Sequence, residues 1–430
     1  MNLRTVLKNK FFILGVVAIL LTIALLVSFL KPVKRKESVT EKITVPTVRI
    51  TGAGFNLTKD YSQAMIEYNN PNTSVNIKKE GKIKVRGNST ALAPKKPYKI
   101  KFEEKQDLLG KGEFKDWVLL ANAFDKTLLR NKLVLDFGQK TKVSYNPNSE
   151  FVEVWLEDVF LGSYLLVDPI EAKKGRIEID IENNEFLIEI EPDWRMEEGV
   201  TYITTKNQLL FGVNEPEEVT EEQREFLQDF LDKAEAAMLS GDKEEYTKYI
   251  DLDSFVDFYI IQELFKNVDV AFSSTRFYVK GDKLYAGPLW DFDLSSGNAN
   301  GVYYPDYGSN QTANAEGHKG IWATKLLWYD HLMKDDYFLE QVKTRYKELQ
   351  KDIVNLYEDN KKGTNQIDTF MAQYEASFRA NYTDAKWDID KPYSEYERFP
   401  NSTYENNVEF LRQWFKSRNE WLLTHWEINK

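Results

Sequence analysis

The chain has no cysteine, which excludes disulfides, thiol nucleophiles and thiolate metal sites. Histidine is scarce: His318, His331 and His425 are the three, and they lack the paired spacing of zinc ligands, so a zinc enzyme is not expected. There is no G-x-S-x-G elbow and no G-x-x-x-x-G-K-[ST] loop, so two common catalytic signatures are missing. Basic charge is in the minority, 57 Lys and Arg against 68 Asp and Glu, for a net charge of −11. That balance argues against bulk binding to nucleic acid, and no nucleic-acid partner is expected. The remaining chemistry must rest on carboxylates, lysines and hydroxyls, and hard oxygen ligands of that kind suit Mg²⁺, Mn²⁺ or Ca²⁺.

What the chain does have is apolar and aromatic substance. Of its 430 residues 42% are hydrophobic and 14% aromatic, enough for one large or two moderate domains with real cores. The run from Phe11 to Leu30 carries no charge, and a membrane-crossing helix needs about 20 such residues. Lys31 follows directly with no small-x-small cleavage site, so the run reads as an uncleaved anchor. Basic residues flank both sides and do not set the orientation. The short head favours residues 1–10 as a cytoplasmic head, 11–30 as a transmembrane signal anchor and 31–44 as a tether. The expectation is a single-pass cell-membrane protein with an extracytoplasmic body.

Patterning divides the body by texture. "VPTVRI", "KKPYKIKF", "FVEVWLEDVFLGSYLLV" and "FLIEIEP" alternate like strands, and "SVNIKKEGKIKVRGNS" reads as a hairpin turning near Gly81. "DKTLLRNKLVLDFGQK" has helical periodicity. Beyond residue 220 the helical segments "EEQREFLQDFLDKAEAAMLSGD" and "DLDSFVDFYIIQELFKN" appear, then a hairpin around Gly281 and more helices. The expected fold class is α+β, with a β-rich lobe over 45–200 and an α-rich lobe over 201–430.

Four stretches concentrate chemistry-bearing groups. In "RGNST", Arg86, Asn88 and Ser89 flank a glycine that would let backbone N–H groups approach an anion, although an ordinary hairpin end has the same composition. In "KKPYKIKF", Lys99 and Lys101 share one strand face; a lysine there can hold phosphates, and a solvated face is the plain alternative. "NVDVAFSSTRFYV" sets Asp269 near a helix C-terminus, an unfavourable place for an acid, with Ser274 five residues on. "GPLWDFD" places Asp291 and Asp293 among apolar groups, where charge is costly unless paired. On a strand both carboxylates would face one way and could share a cation. A calcium site or a buried salt bridge would also account for them.

Together these stretches resemble the CotH (spore coat protein H) kinase-like family, in the family's order from about Val45 to Glu420, with "DLLGKGEFKDWVLLANAFDKTLLRNKL" and the late "SRNEWL" also fitting. The resemblance implies an atypical protein-kinase-like two-lobe fold, here preceded by one transmembrane helix. It also implies ATP-dependent phosphorylation of Ser or Thr in protein substrates with Mg²⁺ or Mn²⁺. By position Asp269 would orient the substrate hydroxyl. Asp291 would bind metal with Asp293 and Ser274 as helpers. Lys101 would anchor phosphates, with Lys96 and Lys99 as rivals, and Arg86, Asn88 and Ser89 would line them. Asp168 stands where the family often carries Glu, as a nucleotide-edge contact or the lysine's carboxylate partner. Asp125 and Arg130 match the family pattern without an assigned role. The aromatic residue that commonly follows "RGNST" is missing here. Two other classes stay open: a surface-anchored binding protein on an inactive kinase-like scaffold, and phosphotransfer to an envelope polymer.

Overall fold

In the computed structural model the described residues are 43–304 and 314–428, and they belong to one compact unit. Seven strands close into a barrel: β1 (Thr47–Thr51), β2 (Ser62–Asn70), β3 (Val75–Val85), β4 (Tyr98–Gln106), β5 (Phe114–Leu120), β6 (Ser149–Leu156) and β7 (Val159–Val167). Their order around the barrel is β1-β2-β3-β4-β5-β7-β6. Neighbours are antiparallel except at the closure, where β1 runs parallel to β6 with Val48 opposite Val154. Closing the sheet leaves no unpaired edge. Alternation decides what fills it. On β4 the side chains of Tyr98, Ile100 and Phe102 are buried while Lys99 and Lys101 point outward.

Gly81 is not a turn. It lies inside the long β3, opposite Ala64 on one side and Phe102 on the other. A Cβ there would stand 2.5 Å from the Lys101 carbonyl oxygen, so the glycine permits close approach of two strands. The chain reverses earlier, between Asn70 and Val75, where Ser74 has φ 59°.

A second sheet has the order β12-β11-β8-β10-β9, built from β8 (Phe186–Ile190), β9 (Tyr202–Thr204), β10 (Leu210–Glu215), β11 (Arg276–Lys280) and β12 (Lys283–Ala286). Helix α1 (Arg130–Gly138) connects barrel strands. Helices α2 (Glu221–Ser240), α3 (Lys243–Tyr249) and α4 (Leu252–Phe265) fall between β10 and β11 in the chain. The remaining helices are α5 (Leu327–Leu332), α6 (Asp336–Glu348), α7 (Gln350–Val354), α8 (Gln366–Thr383) and α9 (Tyr404–His425). Local chemistry sets their ends. Thr220 and Gln223 form a reciprocal capping box at the start of α2, and Gly241, at φ 68°, ends it. Helix α4 is buried almost all round, as a helix apolar on every face must be.

This corrects the expected two-lobe kinase-like arrangement preceded by a transmembrane helix. The chain builds a closed seven-stranded barrel, a second five-stranded sheet and helices packed around them. The change to helical texture beyond residue 220 marks an insertion between two strands of one sheet, because β8 pairs with β11 across it, Ile188 opposite Phe277. One hydrophobic core runs from Val48 to Trp426. The Phe11–Leu30 run lies outside the described residues, and among the described residues no helix is long and apolar enough to cross a membrane.

Candidate active site

The site is built around the loop that follows β12. Trp290, Asp291, Phe292 and Asp293 are not a strand, so the two acids do not share a face as alternation predicts. Asp291 is exposed and has φ 64°, whereas Asp293 is buried. Non-glycine residues seldom occupy that region unless the surroundings impose it, and such residues concentrate at functional sites. The surroundings here are hydrogen bonds from the start of α1. Asn131 Oδ1 accepts from the Phe292 N–H at 2.8 Å. The Arg130 guanidinium donates to the Ser295 and Ser296 carbonyls at 3.0 and 3.2 Å, and it pairs with buried Asp125. Asp125 in turn accepts from the Thr127 N–H at 2.9 Å and the Arg130 N–H at 2.8 Å. The unassigned "FDKTLLRN" residues are therefore the clamp on the acidic loop.

Asp269 follows α4. The helix ends at Phe265, Lys266 takes the left-handed conformation, and Asp269 sits in the next turn, clear of the helix C-terminus. Its carbonyl accepts from the Phe272 and Ser273 N–H groups at 2.8 and 3.0 Å. That turn presents Ser274, at φ 58°, whose hydroxyl donates to Asp291 at 3.2 Å. Burial, and then the Asp291 charge, push the Asp269 carboxyl up to about 7. Asp293 is raised well above the ordinary range, first by burial, then by Asp291 and Asp125. Among the described residues the Asp293 carboxylate accepts no hydrogen bond. Asp291 raises both Asp269 and Asp293, although Asp291 accepts from Ser274, and a Tyr304 hydrogen bond and the Arg195 charge ease Asp269; a cation would relieve the crowding. Among the described residues no group of three or more His, Cys, Asp or Glu is arranged to hold a metal by itself. Mg²⁺ does not need one, since it is commonly bound by one or two carboxylates plus substrate phosphates and water.

Beside the acids opens a cleft of about 380 Å³ between the barrel and the second sheet. Lys59, Lys84, Arg86, Lys99 and Arg276 line it against a single carboxylate, Glu171. Trp290 forms part of the wall, with the Arg86 and Arg276 guanidinium groups 5.4 and 5.9 Å from its rings. Burial pulls the Arg86 guanidinium below its ordinary value, and neighbouring Asp291 counters that effect. Arg86 and Asp291 therefore join the basic cleft to the acidic cluster. Gly87 makes the turn at φ 88°, and a Cβ there would collide with Thr90 Oγ1.

The structure separates the three candidate lysines. Lys99 is on the cleft wall, 3.2 Å from Asp116 and 3.4 Å from Glu171. Lys101 lies 3.7 Å from Asp116 and Lys96 donates to the Ala91 carbonyl at 2.7 Å; neither lines the cleft. Asn88 lines it and Ser89 does not. Asp168 accepts from the Asn148 backbone and side chain at 3.1 and 2.7 Å and faces buried Arg176 at 3.7 Å. Among the described residues no ion pair joins it to Lys96, Lys99 or Lys101; the carboxylate partners of Lys99 are Asp116 and Glu171, and that of Lys101 is Asp116.

Sequence reasoning missed Arg276 and Glu171. Arg276 pairs with Glu189 at 2.6 Å while its other terminal nitrogen is buried without a partner. The pairing of β11 with β8 sets Arg276 opposite Glu189, a register that local sequence does not carry.

The family model described as CotH kinase protein matches residues 83–422. The chain belongs to the CotH kinase protein family. Inner spore coat protein H of Bacillus subtilis (strain 168) is 27% identical to it over 227 residues. The match covers 50% of this chain and 58% of that protein, so the chain spans little more than half the length of this curated relative. The relative is named for the inner spore coat. With no membrane-length apolar helix among the described residues, the expectation of a single-pass cell-membrane protein with an extracytoplasmic body is withdrawn. Within this CotH chain the family match contains the acidic loop, the clamp on α1 and, apart from Lys59, the lining of the basic cleft.

Proposed function

We propose that this CotH-family chain transfers the terminal phosphoryl group of ATP to Ser or Thr hydroxyls of protein substrates, with Mg²⁺ or Mn²⁺ required. The observation that carries the reading is the junction of the Asp269–Asp291–Asp293 cluster with the basic cleft through Arg86. Phosphoryl transfer leaves a protein little covalent work; positioning and charge neutralisation do most of it. Lys99, Arg86 and Arg276 hold the triphosphate, and the Trp290 wall closes one side of it. Asp291, with Ser274 and Asp293 beside it, is the position for the divalent cation. When bound, that cation would supply positive charge to neutralise the phosphates. Asp269, with a carboxyl poised near neutrality, accepts or orients the proton of the acceptor hydroxyl.

The test is transfer of label from γ-labelled ATP to a Ser-rich protein acceptor with Mg²⁺ or Mn²⁺. Asp291→Ala is expected to lower the rate at least about a hundredfold, about 3 kcal/mol of transition-state stabilisation. A rate near that of the unmodified protein would sink the assignment. No transfer, together with no nucleotide-induced thermal shift, would mean an inactive scaffold; label found in a cell-envelope polymer and not in protein would move the acceptor class.

A further inference from the structure

Large aromatic side chains stand exposed beside Asp269. Trp194 lies on a short turn, Asp193–Arg195, between β8 and β9, and is 69% exposed. Its ring is 6.0 Å from that of Phe272, which is itself 39% exposed. Phe272 belongs to the turn that carries the candidate acid: its N–H donates to the Asp269 carbonyl at 2.8 Å. The Arg195 guanidinium lies over both rings, 4.9 Å from Trp194 and 5.3 Å from Phe272, and its charge reaches the Asp269 carboxyl. Tyr304 hydrogen-bonds to that carboxyl, and the adjoining Tyr303 is again exposed. A single exposed apolar side chain needs no explanation. A tryptophan left mostly in water, paired with an exposed phenylalanine one turn from a catalytic acid, adds little to the core and is placed for contact with something else.

The place and the charges define the occupant. Asp269 is the acid assigned to the acceptor hydroxyl, so the molecule that covers rings beside it is the chain that carries that hydroxyl. Aromatic faces stack neutral rings well, and such side chains join a large contact area to few rotamers. A cation on these rings would meet the Arg195 guanidinium, which already lies over both. Arg195 alone would draw an anion, but Asp193, Glu197 and Glu198, all exposed on the same connection, outnumber it. We propose that Trp194 and Phe272 form a docking surface for an aromatic side chain of the acceptor polypeptide, close in sequence to the Ser or Thr that receives the phosphoryl group. The inference rests on the reading of Asp269 as the acid on the acceptor side.

The experiment is fluorescence anisotropy of the full chain with short, dye-labelled, otherwise neutral peptides in which Ala replaces the acceptor Ser, so that binding is read without ATP or transfer. In one series Phe is moved through the positions flanking that Ala; in matched series Lys or Glu takes its place. At one position or more Phe is expected to bind at least about fivefold tighter than Lys or Glu. Trp194→Ala should abolish that preference and Trp194→Phe should keep most of it, both with unchanged melting temperature because Trp194 is exposed. With Ser peptides and ATP, Trp194→Ala should raise KM for the Phe peptide by a similar factor of about five and leave KM for ATP unaltered. The inference is overturned if Lys or Glu peptides bind as tightly as Phe peptides, if Trp194→Ala binds the Phe peptides unchanged, or if no peptide binds at millimolar concentration. Trp194-dependent binding of the Phe peptides without label transfer by the unmodified protein would uphold the docking surface and sink the phosphoryl-transfer reading instead.

Discussion

Asp269 is held where its charge is disfavoured, and that has a measurable sign. A free aspartate titrates at about 3.9, whereas here the carboxyl is pushed up to about 7 by burial and by Asp291. Between those values the folded protein holds a proton the unfolded chain has lost, so stability falls as pH rises through that window. In metal-free buffer, thermal denaturation of Asp269→Asn is expected to match the unmodified protein near pH 4 and exceed it at pH 8. Equal melting temperatures at both pH values would show that Asp269 is not charge-frustrated. The lysines allow a second comparison at this scale. Lys99 faces the cleft and Lys101 does not. A charged hydrogen bond to phosphate contributes about 1.5–3 kcal/mol. Lys99→Met should therefore weaken ATP binding roughly tenfold or more in a titration, and Lys101→Met should leave it within about twofold. The opposite order would return the anchoring role to Lys101.

At the scale of elements, α1 acts on the site through its first turn. Arg130 and Asp125 are each 1% exposed, and the guanidinium reaches across to the Ser295 and Ser296 carbonyls. Removing one partner of a buried ion pair leaves the other charge uncompensated, at about 3–5 kcal/mol. Arg130→Ala is expected to lower the urea-unfolding free energy by that amount, and the double variant Asp125→Asn, Arg130→Met by less, because no lone charge is left behind. If the single and double variants are equally destabilised, the clamp does not act as a pair. The same geometry explains why "FDKTLLRN" looks functional in the sequence without containing an evident catalytic group: its contacts are with the loop that carries the acids.

At the scale of the molecule, α4 and α9 are tied by Glu263 and Arg418, both 0% exposed and 2.7 Å apart. Arg418 also donates to the His318 and Gly320 carbonyls at 2.9 and 2.7 Å, and Glu263 accepts from the Trp322 N–H at 2.8 Å. One ion pair thus fixes the C-terminal helix, the loop before α5 and the helix that leads to Asp269. Arg418→Ala should cost about 3–5 kcal/mol in global stability measured by chemical denaturation. A loss below about 1 kcal/mol would show that the rest of the core holds α9 without it.

The sequence by itself determined what alternation and periodicity can encode. The inward Tyr98, Ile100 and Phe102 of β4, the β6–β7 and β11–β12 hairpins, the capped α2 and the apolar α4 are all legible because each depends on neighbours within a few residues. The order of motifs likewise pointed to the family. Tertiary structure alone decided that seven strands close on themselves through β1 and β6, that β8 reaches past an inserted helical segment to pair with β11, and that Gly81 is a strand crossing and not a turn. It also set Asp291 outward and Asp293 inward, chose Lys99 for the cleft wall, and brought Arg276 beside Arg86. The physical reason is the same in each case. Strand partners, a backbone angle of +64° at Asp291 and the packing of a guanidinium are fixed by contacts between residues far apart in the chain, and local periodicity carries no record of them.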